Sequence, residues 1–382
     1  MEYRLDELFD LQMGKTPSRN NSEYWNSEGN KWISIGDLTR CGKYINETKE
    51  FLTNKAVEES GISLIPANTV IMSFKLSIGK TAITSEPMYS NEAIMSFRDK
   101  HLIKLLPDYI YYLFLWKKWD IGVNKAVMGK TLNKATLSGI KISIHDYMKQ
   151  KEIVEVLDKV KVIIDNKKKQ IEELDTLIKA RFVEMFGDPR SNPFGFDKKM
   201  LKDTCKVITG NTPSRSVTAY YGNYIEWIKT DNIVSDLLNP TLACESLSEE
   251  GMKEGRTVGK DSILMACIAG SISSIGRVCV TDRPVAFNQQ INAVVPGKYN
   301  IFFLYVLLKI SKEYLAENIN MALKGILSKS KLEEKEFIVP PMELQERFAG
   351  FVKQVDKLKV AIEKQLEQTQ LLFDSLMQQY FG

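Results

Sequence analysis

The sequence predicts an α+β protein of two similar domains, separated by two long helices that pair as an antiparallel coiled coil, with an approximate two-fold axis relating the halves. Three observations predict it. Sliding the chain against itself by 196 positions carries Gly14 onto Gly210 and keeps finding matches. Each half reads as short alternating strand-like runs between Gly and Pro turns, followed by one aromatic-faced helix and a last β-rich stretch. Behind each half the apolar period lengthens to steps of four and three, the mark of a helix with a coiled-coil seam.

Composition sets the bounds. At 382 residues the chain is too long for one ordinary core and long enough for two domains with connectors. Hydrophobic and charged fractions of 44% and 26% belong to a soluble globular protein. A net charge of +4 permits a nucleic-acid partner without requiring one, because a binder can confine its basic surface to one face. The five cysteines (Cys41, Cys205, Cys244, Cys267 and Cys279) form no CxxC pair and there are two histidines, His101 and His145. Neither a zinc cluster nor a disulfide framework is supported, and a reducing, cytoplasmic location is expected. MEYRLDELFD has no apolar signal core and YIYYLFLW at 109–116 is too short to span a bilayer, so neither secretion nor membrane insertion is expected.

The repeat begins at GKTPSR, residues 14–19, matched by GNTPSR at 210–215. Gly-Lys-Thr invites a phosphate-loop reading, but that loop needs a Gly five positions earlier, where Phe9 stands. The triplets at Gly79 and Gly129 fail likewise, with Phe74 and Asn124 in that place. Tyr24 then matches Tyr220, WISIGDL at 32–38 matches WIKTDNI at 227–233, and VIMSF at 70–74 matches ILMAC at 263–267. SIGKTAIT at 77–84 answers SIGRVCVT at 274–281, and Asn91 answers Asn288. YIYYLFLWKK at 109–118 parallels IFFLYVLLK at 301–309, and MGKTLNKATL at 128–137 parallels LKGILSKSKL at 323–332. The closing β-rich runs are KISI at 141–144 and EFIVPP at 336–341. Each unit, of roughly 140 residues, is a comfortable domain size.

The first seam runs through Ile153, Leu157, Val160, Ile164, Ile171, Leu174 and Ile178, with Lys167 and Arg181 interrupting and Met185 last. Adding 195 gives Phe348, Val352, Val355, Lys359, Ile362, Leu366, Thr369, Phe373, Leu376 and Tyr380, so the register itself is repeated. Phe186-Gly187 and Phe381-Gly382 close the two helices, Gly acting as a stop. A helix of about 35 residues extends roughly 50 Å, a length no globular domain needs, so the helices are expected to bury their seams on each other. Parallel pairing would oblige the second domain to run back along the whole rod, which favours antiparallel. The expected divisions are a first domain at 1–148, a first spacer helix at 149–187, a second domain at 188–342 and a second spacer helix at 343–382.

Two diverged heads on a rigid spacer form a caliper, and duplex DNA with spaced half-sites is the natural object of one. The order of the GxTPSR turn, the Trp-Ile, the IG(K/R) turn, the Asn before an apolar strand, and VPPMELQE at 339–346 opening a heptad helix resembles the DNA specificity subunit of type I restriction-modification systems. The resemblance covers essentially the whole chain; single motifs are weakly specific, but their order is given twice. It implies that each domain is a target-recognition domain reading one part of a bipartite site in double-stranded DNA. It implies partners as well: two methyltransferase (M) subunits on the spacer, carrying S-adenosylmethionine chemistry on adenine N6, and restriction (R) subunits that translocate and cut using ATP and Mg²⁺. No cofactor is then expected in this chain. The first half departs from the family in having IHDYMKQKE where the second has VPPMELQE, and Asn91-Glu92 where the second has Asn288-Gln289-Gln290, so only the second half carries over the family's Asn-Gln.

Catalytic motifs should be absent from a protein that only reads DNA. An amino-methyltransferase needs an Asn/Asp-Pro-Pro-aromatic turn, and the chain offers only Asn192-Pro193-Phe194 and Val339-Pro340-Pro341. There is no FxGxG loop, and Asp165-Asn166-Lys167 lies on a helix face, as does the solvated run Lys167-Lys168-Lys169. No catalytic or metal-ligating residue is therefore assigned.

The DNA-binding candidates are Lys15, Thr16, Ser18 and Arg19 with Thr212, Ser214 and Arg215; Lys80 with Arg277; Lys130 and Lys134 with Lys324 and Lys329; and Gln289 with Gln290. Each has a plainer reading. The Thr-Pro-Ser runs also suit a Pro turn closed by hydroxyls, the lysines a solvated loop, and the glutamines the satisfaction of strand ends rather than adenine readout. Arg19 and Arg215 persist while Lys15 becomes Asn211, which suits a shared phosphate contact, since positioning is common to both heads and base readout differs. Trp32 and Trp227 read as core before base stacking. Two competing functions remain, a coiled-coil adaptor that binds protein and a fused methyltransferase. The adaptor predicts no salt-dependent DNA affinity, and the fused enzyme predicts S-adenosylmethionine binding by this chain.

Overall fold

The computed structural model describes residues 1–26, 28–75, 77–119, 132–234, 237–271, 274–317, 319 and 325–382. They form two compact units, Met1–Asn166 with Leu366–Gly382, and Lys167–Gln365.

In the first unit Ile94–Asp99 lies antiparallel between Phe9–Met13 and Val70–Ser73; Thr81–Thr84 pairs outside Val70–Ser73 and takes Tyr44–Ile45 in parallel. Val70–Ser73 and Thr81–Thr84 are buried throughout, because the sheet divides two cores. Alternation sends Val70, Met72, Ile83 and Phe97 to one core and Ile71, Ala82 and Ile94 to the other. A smaller sheet pairs Glu50–Leu52 with Trp25–Asn26 and Asn30–Ile33, and the latter takes Tyr89–Ser90 in parallel. Glu2–Arg4 pairs with Lys141–Ser143, tying the start of the chain to the approach of the long helix.

The second unit repeats this order. Ile291–Pro296 lies between Cys205–Thr209 and Ile263–Ala266, with Val278–Val280 outside. Ser246–Leu247 pairs with Tyr221–Gly222 and Ile225–Ile228, which takes Val285–Phe287 in parallel. Lys198–Met200 closes on Glu336–Ile338. The repeat read from the sequence is thus a repeat of strand order and strand direction.

The aromatic helices are Pro107–Trp116 and Ile301–Ile310. Six consecutive residues of each, Tyr109 to Phe114 and Phe303 to Leu308, are buried. An aromatic face is therefore too modest a description: the middle of each helix is enclosed on all sides and hydrophobic right round, while the ends, with Leu115 exposed, reach the surface.

The long helices run Tyr147–Phe186 and Met342–Phe381, each 40 residues. Within the first unit, Ile153 and Leu157 share a core with Met377, and Phe373, Leu376, Tyr380 and Phe381 pack against it. Within the second, Phe182 and Phe186 share a core with Phe348 and Val352. The beginning of each helix meets the end of the other, so the pair is antiparallel. Val160, Ile164 and Val355 are buried along the seam, whereas Ile171, Leu174, Ile178, Ile362 and Leu366 are half-buried. Lys359, which breaks the apolar pattern, is also buried, its ammonium 3.1 and 3.2 Å from the Asp175 carboxylate oxygens.

Both helices begin with the same internal brace. Gln150 accepts from the Leu106 N–H (3.0 Å) and donates to the carbonyls of Lys104 and His145. Gln345 accepts from the Asn300 N–H (2.9 Å) and donates to that of Pro340. IHDYMKQKE and VPPMELQE, different at their starts, therefore hold the cap of an aromatic helix in the same way. At the far end Gly187 adopts φ +72°, the left-handed stop expected of it.

Candidate nucleic-acid interface

The hexapeptide Gly14–Arg19 leaves strand Phe9–Met13 and folds against the backbone around Asn91. Gly14 N–H donates to the Ile94 carbonyl (3.1 Å) and Lys15 N–H to that of Ser90 (2.8 Å). A Cβ on Gly14 would sit 2.3 Å from the carbonyl oxygens of Ser90 and Asn91, so only glycine allows this approach. Pro17 is buried, and the buried Trp32 donates its indole N–H to the Lys15 carbonyl at 3.1 Å. Thr16 donates its hydroxyl to the Glu92 carboxylate. The Arg19 guanidinium lies 3.8 Å from the centroid of Trp25 and 4.8 Å from that of Trp32, and pairs with both oxygens of Glu50. That hydrogen bond raises the Arg19 pKa above its ordinary value.

The second unit rebuilds the arrangement member by member. Gly210 and Asn211 donate to the carbonyls of Ile291 and Phe287, and a Cβ on Gly210 would stand 2.2 Å from the Asn288 carbonyl oxygen. Trp227 donates to the Asn211 carbonyl at 3.2 Å, and Thr212 donates its hydroxyl to the Gln289 side-chain carbonyl. Arg215 lies 4.5 Å from the centroid of Tyr221 and 5.0 Å from that of Trp227, and pairs with Glu245 at 2.6 Å. Lys229 shares Glu245; its hydrogen bond, then that of Arg215, hold the carboxyl below its usual range against the opposing effect of burial.

Each arginine is therefore shelved on rings and oriented by a carboxylate, with about half of its side chain exposed: 50% for Arg19 and 54% for Arg215. Stacking and a fixed carboxylate pre-orient the planar fork, which suits an oxyanion such as phosphate. Sequence reasoning found the arginines and missed Glu50 and Glu245. The signal was there, because those two glutamates also correspond under a shift of 195.

The second turns also match. Gly79 (φ +90°) and Gly276 (φ +75°) donate to the carbonyls of Ser73 and Ala266, both at 2.9 Å. Lys80 Nζ reaches the Thr39 hydroxyl (2.6 Å), whereas Arg277 donates to the carbonyls of Thr230 and Ser274. Lys134 and Lys329 are exposed at the starts of short helices capped by Asn133 and Ser328, and Lys329 pairs with Glu333 at 3.5 Å. Lys130 and Lys324 lie outside the described residues. Lys15 is exposed and donates its ammonium to the Ser60 carbonyl. Ser18 is exposed, and Ser214 shares a hydrogen bond with Ser216. The two glutamines separate: Gln289 is exposed at the tip, while Gln290 accepts from the Asn288 amide (3.3 Å) and receives the Cys267 N–H on its backbone carbonyl. Among the described residues no group of three or more His, Cys, Asp and Glu is placed to hold a metal, and no helix is long and apolar enough to cross a membrane.

One strand order given twice, one turn constellation given twice and two paired long helices define an internally duplicated protein with two recognition-type domains. The chain belongs to the family of the type I restriction modification DNA specificity domain, which it matches over residues 1–176 and again over 193–370. It is 24% identical to the type I restriction enzyme MjaIX specificity subunit of Methanocaldococcus jannaschii, across 98% of this chain and 90% of that protein. It is 29% identical to the EcoR124I/EcoR124II specificity subunit of Escherichia coli, across 41% of this chain and 39% of that one. The fold is shared with the crystal structure of a type I restriction-modification S subunit from M. genitalium, with a TM-score of 0.59 at 14% identity, covering 100% of this chain and 96% of that one. A chain from a structural study of complex assembly and conformational transition in the type I R-M system gives 0.60 at 15% identity, covering 100% and 97%.

Proposed function

We propose that this chain is the DNA-reading subunit of a type I restriction-modification complex, each domain reading one half of a bipartite site. The paired helices set the gap between half-sites and dock two methyltransferase subunits. In this reading the chain catalyses nothing itself. Adenine-N6 methylation with S-adenosylmethionine, and translocation and cleavage with ATP and Mg²⁺, belong to the partner subunits.

The observation that carries the reading is the duplicated turn: a backbone frame kept in every hydrogen bond, with an exposed tip that differs between copies (Glu92 against Gln289) and with the exposed Lys15 replaced by Asn211, whose side chain turns inward to the backbone of Glu254 and Arg256. A constant frame with variable tips is what two half-sites of different sequence require, because phosphate positioning is common and base readout is not. The candidates assigned to DNA contact are Lys15, Thr16, Ser18, Arg19, Lys80 and Lys134 in the first domain. In the second they are Thr212, Ser214, Arg215, Arg277, Gln289, Gln290 and Lys329, with Lys130 and Lys324 kept as candidates on sequence grounds.

The test is a salt titration of duplex binding by the chain assembled with its methyltransferase subunits, using DNA that carries the methylated motif and a scrambled duplex. The logarithm of affinity should fall linearly with log salt for both, the motif remaining the tighter ligand. Salt-independent binding, or equal affinity for the two duplexes, would contradict the proposal and favour a protein-binding adaptor.

A further inference from the structure

Glu92, the residue at which the first half departs from the second, occupies the same place as Gln289 in three independent respects. Each follows an asparagine whose side-chain oxygen accepts the N–H two residues on, Asn91 from Ala93 (3.0 Å) and Asn288 from Gln290 (3.1 Å). That turn presents the intervening residue outward, and both Glu92 and Gln289 are exposed. In each copy the threonine of the GxTPSR turn donates its hydroxyl to the side-chain oxygen at the tip. The threonine therefore aims the tip side chain while engaging only one of its acceptor positions.

The difference between the tips is chemical. A carboxylate accepts hydrogen bonds and donates none, whereas a glutamine amide does both. Partial burial works against the charge of Glu92, but the Thr16 hydrogen bond, then its own backbone N–H, then the fields of Lys75 and Arg19 outweigh it, so that its pKa lies below the ordinary value and the group stays ionised at neutral pH. A carboxylate on a surface that meets phosphates is repelled unless a donor faces it. In the major groove of duplex DNA that donor is an exocyclic amine, N4 of cytosine or N6 of adenine.

Resting on the proposed DNA-reading function, we infer that Glu92 and Gln289 are corresponding base-reading residues: Glu92 accepts from an exocyclic amine in the half-site of the first domain, and Gln289 pairs with adenine in that of the second. Thr16 and Thr212 are positioning residues that act through them.

The experiment is a methylation assay of the chain assembled with its methyltransferase subunits on a library randomised through both half-sites, comparing the wild type with Glu92→Gln and Thr16→Val. Glu92→Gln is isosteric at an exposed site and keeps the acceptor that Thr16 engages. It should lower discrimination at one base pair of the first half-site by roughly five- to a hundredfold, leaving the second half-site and the gap as they were. Thr16→Val should weaken discrimination at that same base pair. A wild-type split motif with unchanged preference in Glu92→Gln overturns the assignment of Glu92 and leaves the function intact. A wild-type complex with no split motif overturns the DNA-reading function on which the assignment rests.

Discussion

At the scale of single residues, the site is a set of ordinary groups made specific by their neighbours. Arg19 and Arg215 each lie on two rings and face one glutamate, so the guanidinium plane is fixed before any ligand arrives. Arg19→Lys keeps the charge and loses the stacking and the fork. It should weaken binding to motif and scrambled duplex alike, and Arg19→Ala should also reduce the slope of log affinity against log salt by about one. Both are read from the salt titration, and an unchanged slope in Arg19→Ala contradicts a phosphate contact there. The arginines were legible in the sequence because they recur in both copies. Their glutamates recur too, but Glu50 and Glu245 lie some thirty residues away on another strand or its approach, so nothing local in the sequence pairs them with the arginines. Glu92 was obscured for a different reason: compared by residue type it is a mismatch, and the shared position shows in the Asn91 and Asn288 turns and the threonine hydrogen bonds.

At the scale of elements, the long helices were the most legible feature, since a seam in steps of four and three needs no tertiary knowledge. Less visible was what the interruptions do. Lys359 breaks the apolar pattern, yet it is buried against Asp175, which also faces Lys309 at 3.6 Å. A buried charge pair favours one register over its neighbours and stabilises less than an apolar pair of the same size. Lys359→Met should therefore cost about 1–3 kcal/mol, and Lys359→Met with Asp175→Leu should recover all of it, reaching or passing the stability of the wild type. Denaturant unfolding of the full chain decides the matter; a single variant as stable as the wild type removes the pair from the account. The braces at the helix starts make a parallel case. Gln345→Ala strips partners from the half-buried Asn300 N–H and the buried Pro340 carbonyl and should cost about 1–3 kcal/mol, and Gln150→Ala should cost a similar amount. In the sequence the two Phe-Gly endings show only as helix stops. Their phenylalanines also anchor the aromatic helices, Phe186 lying 4.9 Å from Phe303 and Phe381 lying 5.4 Å from Tyr109 between ring centroids. Periodicity marks a position as apolar but does not say which domain it will hold.

At the scale of the whole molecule, the proposed function requires two independent heads and a spacer that acts as a ruler. Replacing residues 195–335 by another recognition domain should change one half-site and leave the other intact; a change in both contradicts independent heads. Removing one heptad from each long helix shortens the rod by about 10 Å, about three base pairs of duplex, while keeping the seams in phase. The gap between half-sites should shrink accordingly with their sequences unchanged, and loss of sequence preference instead counts against the spacer role. The measurement that tests the central claim most directly is a methylation map of the host genome at single-base resolution, with and without this gene. The account predicts that adenine methylation at one split motif with a fixed gap disappears when the gene is removed. If no mark changes while an active partner methyltransferase is expressed, the duplicated turns do not serve the reading of DNA for methylation.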